Sequence, residues 1–200
     1  MSNTLKAIVN LLQRGGATPT DKDEALVKAV LRGERAAFDQ LIIRHHELAY
    51  GLAYRMVQQT ELAEDIVQDC FIKVWQQAGQ WQPEQGQFST WLYQIVRNQA
   101  LDVLRSAAHR YNEPLVAEDE LEALQPITTT FEHQQQQKQF QQALSLLNID
   151  QRTAIALVYQ TGLSNKAAAQ VMNLQLKAFE SLLGRAKSRL KQTLGESNER

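Results

Sequence analysis

Aromatic rings beside guanidinium and amide groups are the first chemistry this sequence offers. Trp81 and Phe88 lie in a loop-like stretch. Trp91 and Tyr93 follow, and Gln94, Arg97, Asn98, Leu101 and Arg105 share the outer face of a predicted helix, with Asp102 at its flank. Such a set suits single-stranded nucleic acid, whose bases stack on rings while cations hold the backbone. Aromatic residues are more often core than platform, so the spacing leaves both readings open. A second group is acidic. Glu61, Asp65, Gln68 and Ile72 fall on one side of a predicted helix, and Asp69 stands four residues after Asp65. Like charges at that spacing cost a few tenths of a kcal/mol. The face is either simply solvated or turned to a basic protein partner. A third group is basic: Lys177, Ser181, Arg185, Lys187 and Arg189, with Glu180 among them. On a helix these residues suit the major groove, early positions meeting base edges and later ones phosphates. A three-helix bundle with a solvated basic face would carry the same pattern.

Catalysis is not suggested. His45, His46, His109 and His133 are scattered, and no Cys or carboxylate joins them at metal-ligand spacing. No phosphate-cradling glycine loop and no nucleophile motif occurs. The expectation is a regulator, not an enzyme, with no cofactor and no metal. Cys70 is the only cysteine, which excludes an internal disulfide and reads as a small buried hydrophobe.

The elements that must hold these groups read as all-α. Among the 200 residues Leu, Ala, Gln, Glu and Lys dominate, Gly and Pro number 9 and 4, and 44% of residues are hydrophobic. Leu26, Val30, Leu31, Phe38, Leu41, Ile42, Leu48, Leu52 and Met56 keep a helical period from Asp21. Thr60 is placed to cap a helix running to Gln77. A break at residues 78–87 carries Gly79, Pro83 and Gly86, and Ser89 is placed to cap the helix that follows, to about Ala108. Residues 110–137 hold Pro114, Pro126, an acidic cluster, a Thr triplet and a Gln run. That composition buries little apolar surface and predicts a flexible linker. Period resumes at Phe140, Leu144 and Leu147. Three helices then follow: about Asp150–Gln160, ending at Thr161-Gly162; Ser164 or Asn165 to about Met172; and one whose apolar stripe is Leu176, Phe179, Leu183, Ala186 and Leu190. Asn173 occupies the turn between the last two, where positive φ is commonly required and Asn tolerates it. Gly184 interrupts the exposed face of the last helix at a cost of about 1 kcal/mol.

The division is therefore an extension at 1–20, a helical module at 21–109, a linker at 110–137, a helix-turn-helix module at 138–194 and a tail at 195–200. Formal charge follows it, at +2 for 1–20, −3 for 21–105, −5 for 106–137 and +5 for 138–200, closing to the net −1. A positive C-terminal module is what phosphate binding needs. The near-neutral total argues against strong non-specific DNA binding by the free chain. No apolar run approaches the ~20 residues of a bilayer span. The stretch Ala7–Leu12 is too short and polar for a signal peptide, so a cytoplasmic location is expected.

Two long runs resemble a known family. Glu61 to Trp75, ELAEDIVQDCFIKVW, and Phe88 to Arg105, FSTWLYQIVRNQALDVLR, are similar to the second conserved region of extracytoplasmic-function (ECF) sigma factors, within the sigma-70 family. The segment Gly162 to Leu190 is similar to their fourth region. Order, linker and length agree, over about residues 21–194. The resemblance implies two small helical domains, a region 2 bundle and a region 4 helix-turn-helix, joined by a flexible linker. It implies a protein that binds core RNA polymerase and directs promoter-specific initiation. Glu61, Asp65, Gln68 and Asp69 would dock on the clamp helices of the largest subunits. Trp81, Phe88, Trp91, Gln94, Arg97, Asn98, Leu101 and Arg105 would recognise and melt the minus-ten element. Lys177, Glu180, Ser181, Arg185, Lys187 and Arg189 would read the minus-thirty-five element. An anti-sigma protein would hold such a factor inactive, and the free chain would be monomeric. The sequence departs from the family where Lys166-Ala-Ala replaces the usual Glu-Ile-Ala, where Asn173 replaces the turn Gly, and where Phe179-Glu180-Ser181 replaces Val-Lys-Ser. A free-standing helix-turn-helix regulator and a sigma-like sequestering protein are the alternatives. The aromatic loop and acidic helix weigh against the first, and the Arg97, Asn98, Arg105 face against the second.

Overall fold

A computed structural model describes residues 20–111 and 139–197, with side chains at 22–106 and 139–194. The expected extension, but for its last residue, and most of the expected linker lie outside the described residues.

Four helices make the first module: α1 (Thr20–Leu31), α2 (Arg35–Val57), α3 (Thr60–Gln77) and α4 (Phe88–Tyr111). Two single 3-10 turns, Ala78–Gln80 and Pro83–Gln85, bridge α3 to α4. Helix α2 is the axis, packed on α1, α3 and α4. The buried sets Leu41, His45, Leu48, Leu52, Met56 on α2, Ala63, Ile66, Cys70, Val74 on α3 and Phe88, Leu92, Val96, Ala100 on α4 recur at three- and four-residue steps, which is why these segments form amphipathic helices. Leu31, placed in the core by the periodicity, is 58% exposed, because α1 ends there and Gly33 turns the chain away.

The cap positions lie one or two residues before the expected ones. The amides of Thr90 and Trp91 donate to the Gln87 carbonyl, so α4 starts at Phe88 and Ser89 is buried inside it. Helix α3 is entered through extended Gln59, whose carbonyl accepts from Ala63, which makes Thr60 its first residue.

A buried polar knot fastens α1 to α2. Asp23 accepts from Arg44 and from His45 Nε2 at 3.1 Å, and both Asp23 and His45 are essentially inaccessible. Burial pushes the Asp23 carboxyl upward, but His45 and Arg44 outweigh it and hold the group below its ordinary value of 3.8. A depressed carboxylate stabilises the fold above its unfolded value and loses that contribution as pH falls through the folded one. Urea titrations across the acid range should therefore show Asp23→Asn losing about 1–3 kcal/mol near neutrality and less as pH drops. A deficit constant down to acid pH would contradict the ionised pairing.

The second module begins with a helix described over 139–145, called α5, whose Phe140, Ala143 and Leu144 are buried. Helix α6 (Ile149–Ile155) follows, and a π-helical turn, Ala156–Gln160, extends it. Asn148 caps α6 reciprocally with Gln151, a capping box the sequence reading passed over. Helix α7 (Asn165–Val171) is capped by Ser164, whose hydroxyl accepts from Ala167, and α8 (Leu176–Ser197) closes the module against α6 and α7. Asn173 turns between α7 and α8 at φ 53°, as its residue type predicts. Phe179, Leu183, Ala186 and Leu190 are buried. Leu176, assigned to the same stripe, is 43% exposed because α8's first turn projects past the core.

The modules touch. Helix α4 packs on α7, and α2 packs on α6 and on the π turn. Nothing in the sequence pattern announced this seam.

Candidate functional site

On α3, Glu61, Asp65, Gln68 and Asp69 are all exposed, because Ala63, Ile66, Val67 and Cys70 occupy the inward positions of the same turns. Asp69 is also structural. It accepts from Gln99 Nε2 at 3.1 Å, and Gln99 in turn accepts from Lys73, which ties α3 to α4. Beside this acidic edge runs a feature the sequence reading missed, an apolar groove of about 940 Å³ between α2 and α3. Phe38, Ile42, Tyr50, Val67, Phe71, Ile72 and Trp75 line it, and Arg35, Asp39, His46, Glu64 and Gln68 form its polar margin. Ile72 and Trp75 are 49% and 41% exposed. With the groove they form a contiguous apolar patch, larger in consequence than single exposed apolar side chains. The available signal was Ile72 and Trp75 falling on the acidic face.

The aromatic group divides. Trp81 and Phe88 are buried, which is the core reading of the two that the spacing leaves open. Phe88 lies 5.9 Å from the Trp81 ring, edge-on, 5.8 Å from Trp91 and 5.2 Å from His45. The Trp81 indole donates to the Gly86 carbonyl at 3.1 Å. These two rings shape the loop from inside, and Ala78 of the first 3-10 turn is buried as well. Tyr93 is buried as well. Trp91 and Gln94 are half-buried at the mouth of a cavity that Gln80, Gln82, Gln85 and Gln87 also line. Asn98 and Arg105 are exposed, with Arg105 paired to Asp102 at 3.6 Å. Arg97 and Leu101 are half-buried. Burial lowers the Arg97 pKa, and Asp150 of the second module works against that.

On α8, Lys177, Glu180, Ser181, Arg185 and Arg189 stand exposed on one side, opposite the buried stripe. Arg185 donates to Ser181 at 3.3 Å. Lys187 departs from the set, its ammonium lying 5.1 Å from the Tyr159 ring centre and so serving its own module. A Cβ added at Gly184 would meet nothing within 4 Å, so no contact inside the chain explains that glycine.

No cluster of potential metal ligands occurs among the described residues, and no helix among them is long and apolar enough to cross a membrane.

Comparison with known proteins adds independent findings. The sequence model of sigma-70 region 2 matches residues 41–110, and that of sigma-70 region 4 matches residues 137–190. The ECF RNA polymerase sigma factor SigM of Mycobacterium tuberculosis is 32% identical over 88% of this chain and 86% of its own length. Among solved structures, the sigma factor RpoE bound to the anti-sigma factor NepR, from Bartonella quintana, superposes with a TM-score of 0.68 at 24% identity, covering 79% of this chain and 96% of that one. CnrH in complex with the cytosolic domain of CnrY gives 0.66 at 24% identity, covering 88% and 98%.

Proposed function

The chain belongs to the extracytoplasmic-function sigma factors of the sigma-70 family, and on that premise we propose how its residues divide the work. Such proteins are transcription initiation factors and not enzymes, and they bind core RNA polymerase and promoter DNA. In this chain the acidic edge of α3, Glu61, Asp65, Gln68 and Asp69, meets the polymerase clamp helices. The groove beside it takes the apolar face of the docked helix, a helix-in-groove contact rimmed by charge. Trp91, Gln94, Arg97, Asn98, Leu101 and Arg105 face the minus-ten element. Trp81 and Phe88 hold the loop that receives an unstacked base, from inside rather than by direct stacking. Unstacking costs a few kcal/mol and stacking returns about 1–3 kcal/mol per base, so polymerase contacts decide the balance. Lys177, Glu180, Ser181, Arg185 and Arg189 face the minus-thirty-five element, with Lys187 at the flank. The work takes place in the cytoplasm, in the two units 21–109 and 138–194, under control of an anti-sigma protein. The two like-folded structures described above are complexes of that kind.

The observation that carries this reading is the exposed acidic edge of α3 against an open apolar groove, on the same module as the cationic outer face of α4. Its test is run-off transcription on a genomic promoter library with purified core polymerase. Discrete promoter-specific products are expected. Their absence overturns the reading, and a shift of duplex DNA by the chain without polymerase favours a free-standing regulator.

A further inference from the structure

The face that carries the proposed minus-ten set is in contact with the helix-turn-helix module, which elementary geometry makes incompatible with joint use of the two promoter elements. Elements named for positions minus ten and minus thirty-five are separated by about 25 base pairs, roughly 85 Å at 3.4 Å per step. Here Gln94 of the minus-ten set donates to the Gln170 carbonyl of α7 at 3.2 Å. Trp91 and Gln94 line one cavity with Gln170 and with Asn173 and Leu174 of the turn that follows α7.

What holds the seam is unusual in kind. The last carbonyls of an α-helix have no partner within it. At the end of α2 the Tyr54 carbonyl accepts from the Gln58 amide, while those of Arg55 and Met56 accept from Arg152 of α6, at 3.0 and 3.3 Å. Arg152 thus caps, across the seam, a helix of the other module, where a cation is favoured by the helix dipole. Arg55 reaches back and donates to Gln160 Oε1 at 2.7 Å. Gln160 itself rests over Gly51, and a Cβ added there would overlap its amide, with no other atom among the three nearest. Neither arginine has a carboxylate within ion-pair reach among the described residues, and the buried Arg55 Nη1 has no hydrogen-bond partner. A seam built on backbone carbonyls and an unsatisfied donor is specific in geometry yet not deeply stable.

We propose that Arg152, Arg55, Gln160 and Gly51 form an intramolecular latch that closes the free chain over its own promoter-melting loop, and that joint promoter engagement requires its release. The proposal rests on the sigma-factor reading for its consequence, not for its geometry. Residues 112–138, 27 positions, reach up to about 90 Å when extended, enough for the open span.

Solution scattering on the full chain tests the latch without polymerase. The closed parent should have a radius of gyration of roughly 17 Å, the value for a compact chain of this length. Arg152→Leu removes the cross-seam cap, and Gly51→Leu drives a side chain into the Gln160 position. Both should raise the radius by roughly 5 Å or more while helix content by circular dichroism stays unchanged. If both variants scatter like the parent, the latch is wrong. The opened variants should also bind core polymerase and promoter roughly three- to tenfold more tightly, since the binding-competent fraction rises. Equal or weaker binding by opened chains overturns the inhibitory role. A parent chain that yields no run-off product sinks the sigma-factor reading but leaves the scattering comparison standing.

Discussion

Lysine at both Asp65 and Asp69 abolishes co-purification with core RNA polymerase and leaves a folded protein. That expectation follows from where the two carboxylates sit. Each substitution changes the local charge by two units, so the pair changes it by four on an edge the proposal places against basic helices. Like charges brought together at an interface cost several kcal/mol, which is a loss of ~100-fold or more in affinity. Inside the molecule the effect is small. Asp65 is exposed, and Asp69 contributes one exposed hydrogen bond to Gln99, in the ~1 kcal/mol range. A lysine at 69 also stands four residues from Lys73, which adds a few tenths. Circular dichroism melts should move by only a few degrees, while pull-down with tagged core polymerase should lose the chain. Undiminished pull-down would remove the acidic edge from the docking surface.

Truncating Phe88 to alanine should have the largest effect on the fold. The ring is fully buried among Trp81, Trp91 and His45, where α2, α4 and the 78–87 turns meet. Phe→Ala at such a site costs about 3–5 kcal/mol, transfer and cavity together. In a module of this size that lowers the melting temperature by more than about 10 °C. Trp81 loses its perpendicular neighbour, so the loop from Trp81 to Phe88 loses its inner wall and promoter opening falls with it. Scanning calorimetry checks the first effect, and permanganate footprinting of the melted strand checks the second. A melting temperature within a degree or two of the parent would mean that the cavity collapses and the ring is dispensable.

Local features were legible in the residues and distant ones were not. Helical period placed most buried positions of α2 and α8 and the outer faces of α3 and α4 because amphipathicity is a property of neighbours in sequence. Asn173 announced a positive-φ turn because few residue types accept one. The acidic, cationic and basic faces followed from the same periods, and the relatives agree on the family they imply. The fate of Trp81 and Phe88 was not legible, since an aromatic in a loop carries no mark of whether the loop folds over it. Nor was the Asp23–His45 pair, whose partners are 22 residues apart, or the groove, whose walls come from two helices. The seam was least visible. Arg152 and its acceptor on Arg55 are 97 residues apart, and one of the two groups is a backbone carbonyl, which has no letter in the sequence.

All three tryptophans, Trp75, Trp81 and Trp91, stand in the first module, and none in the second. Each samples a different environment: the open groove, the loop interior and the contact with the helix-turn-helix. Intrinsic tryptophan emission from this chain thus arises from probes in the first module. Chains keeping one tryptophan each would resolve three events by colour and quenching. Trp75 would follow partner docking, Trp81 the integrity of the loop, and Trp91 the parting of the two halves, with no dye attached.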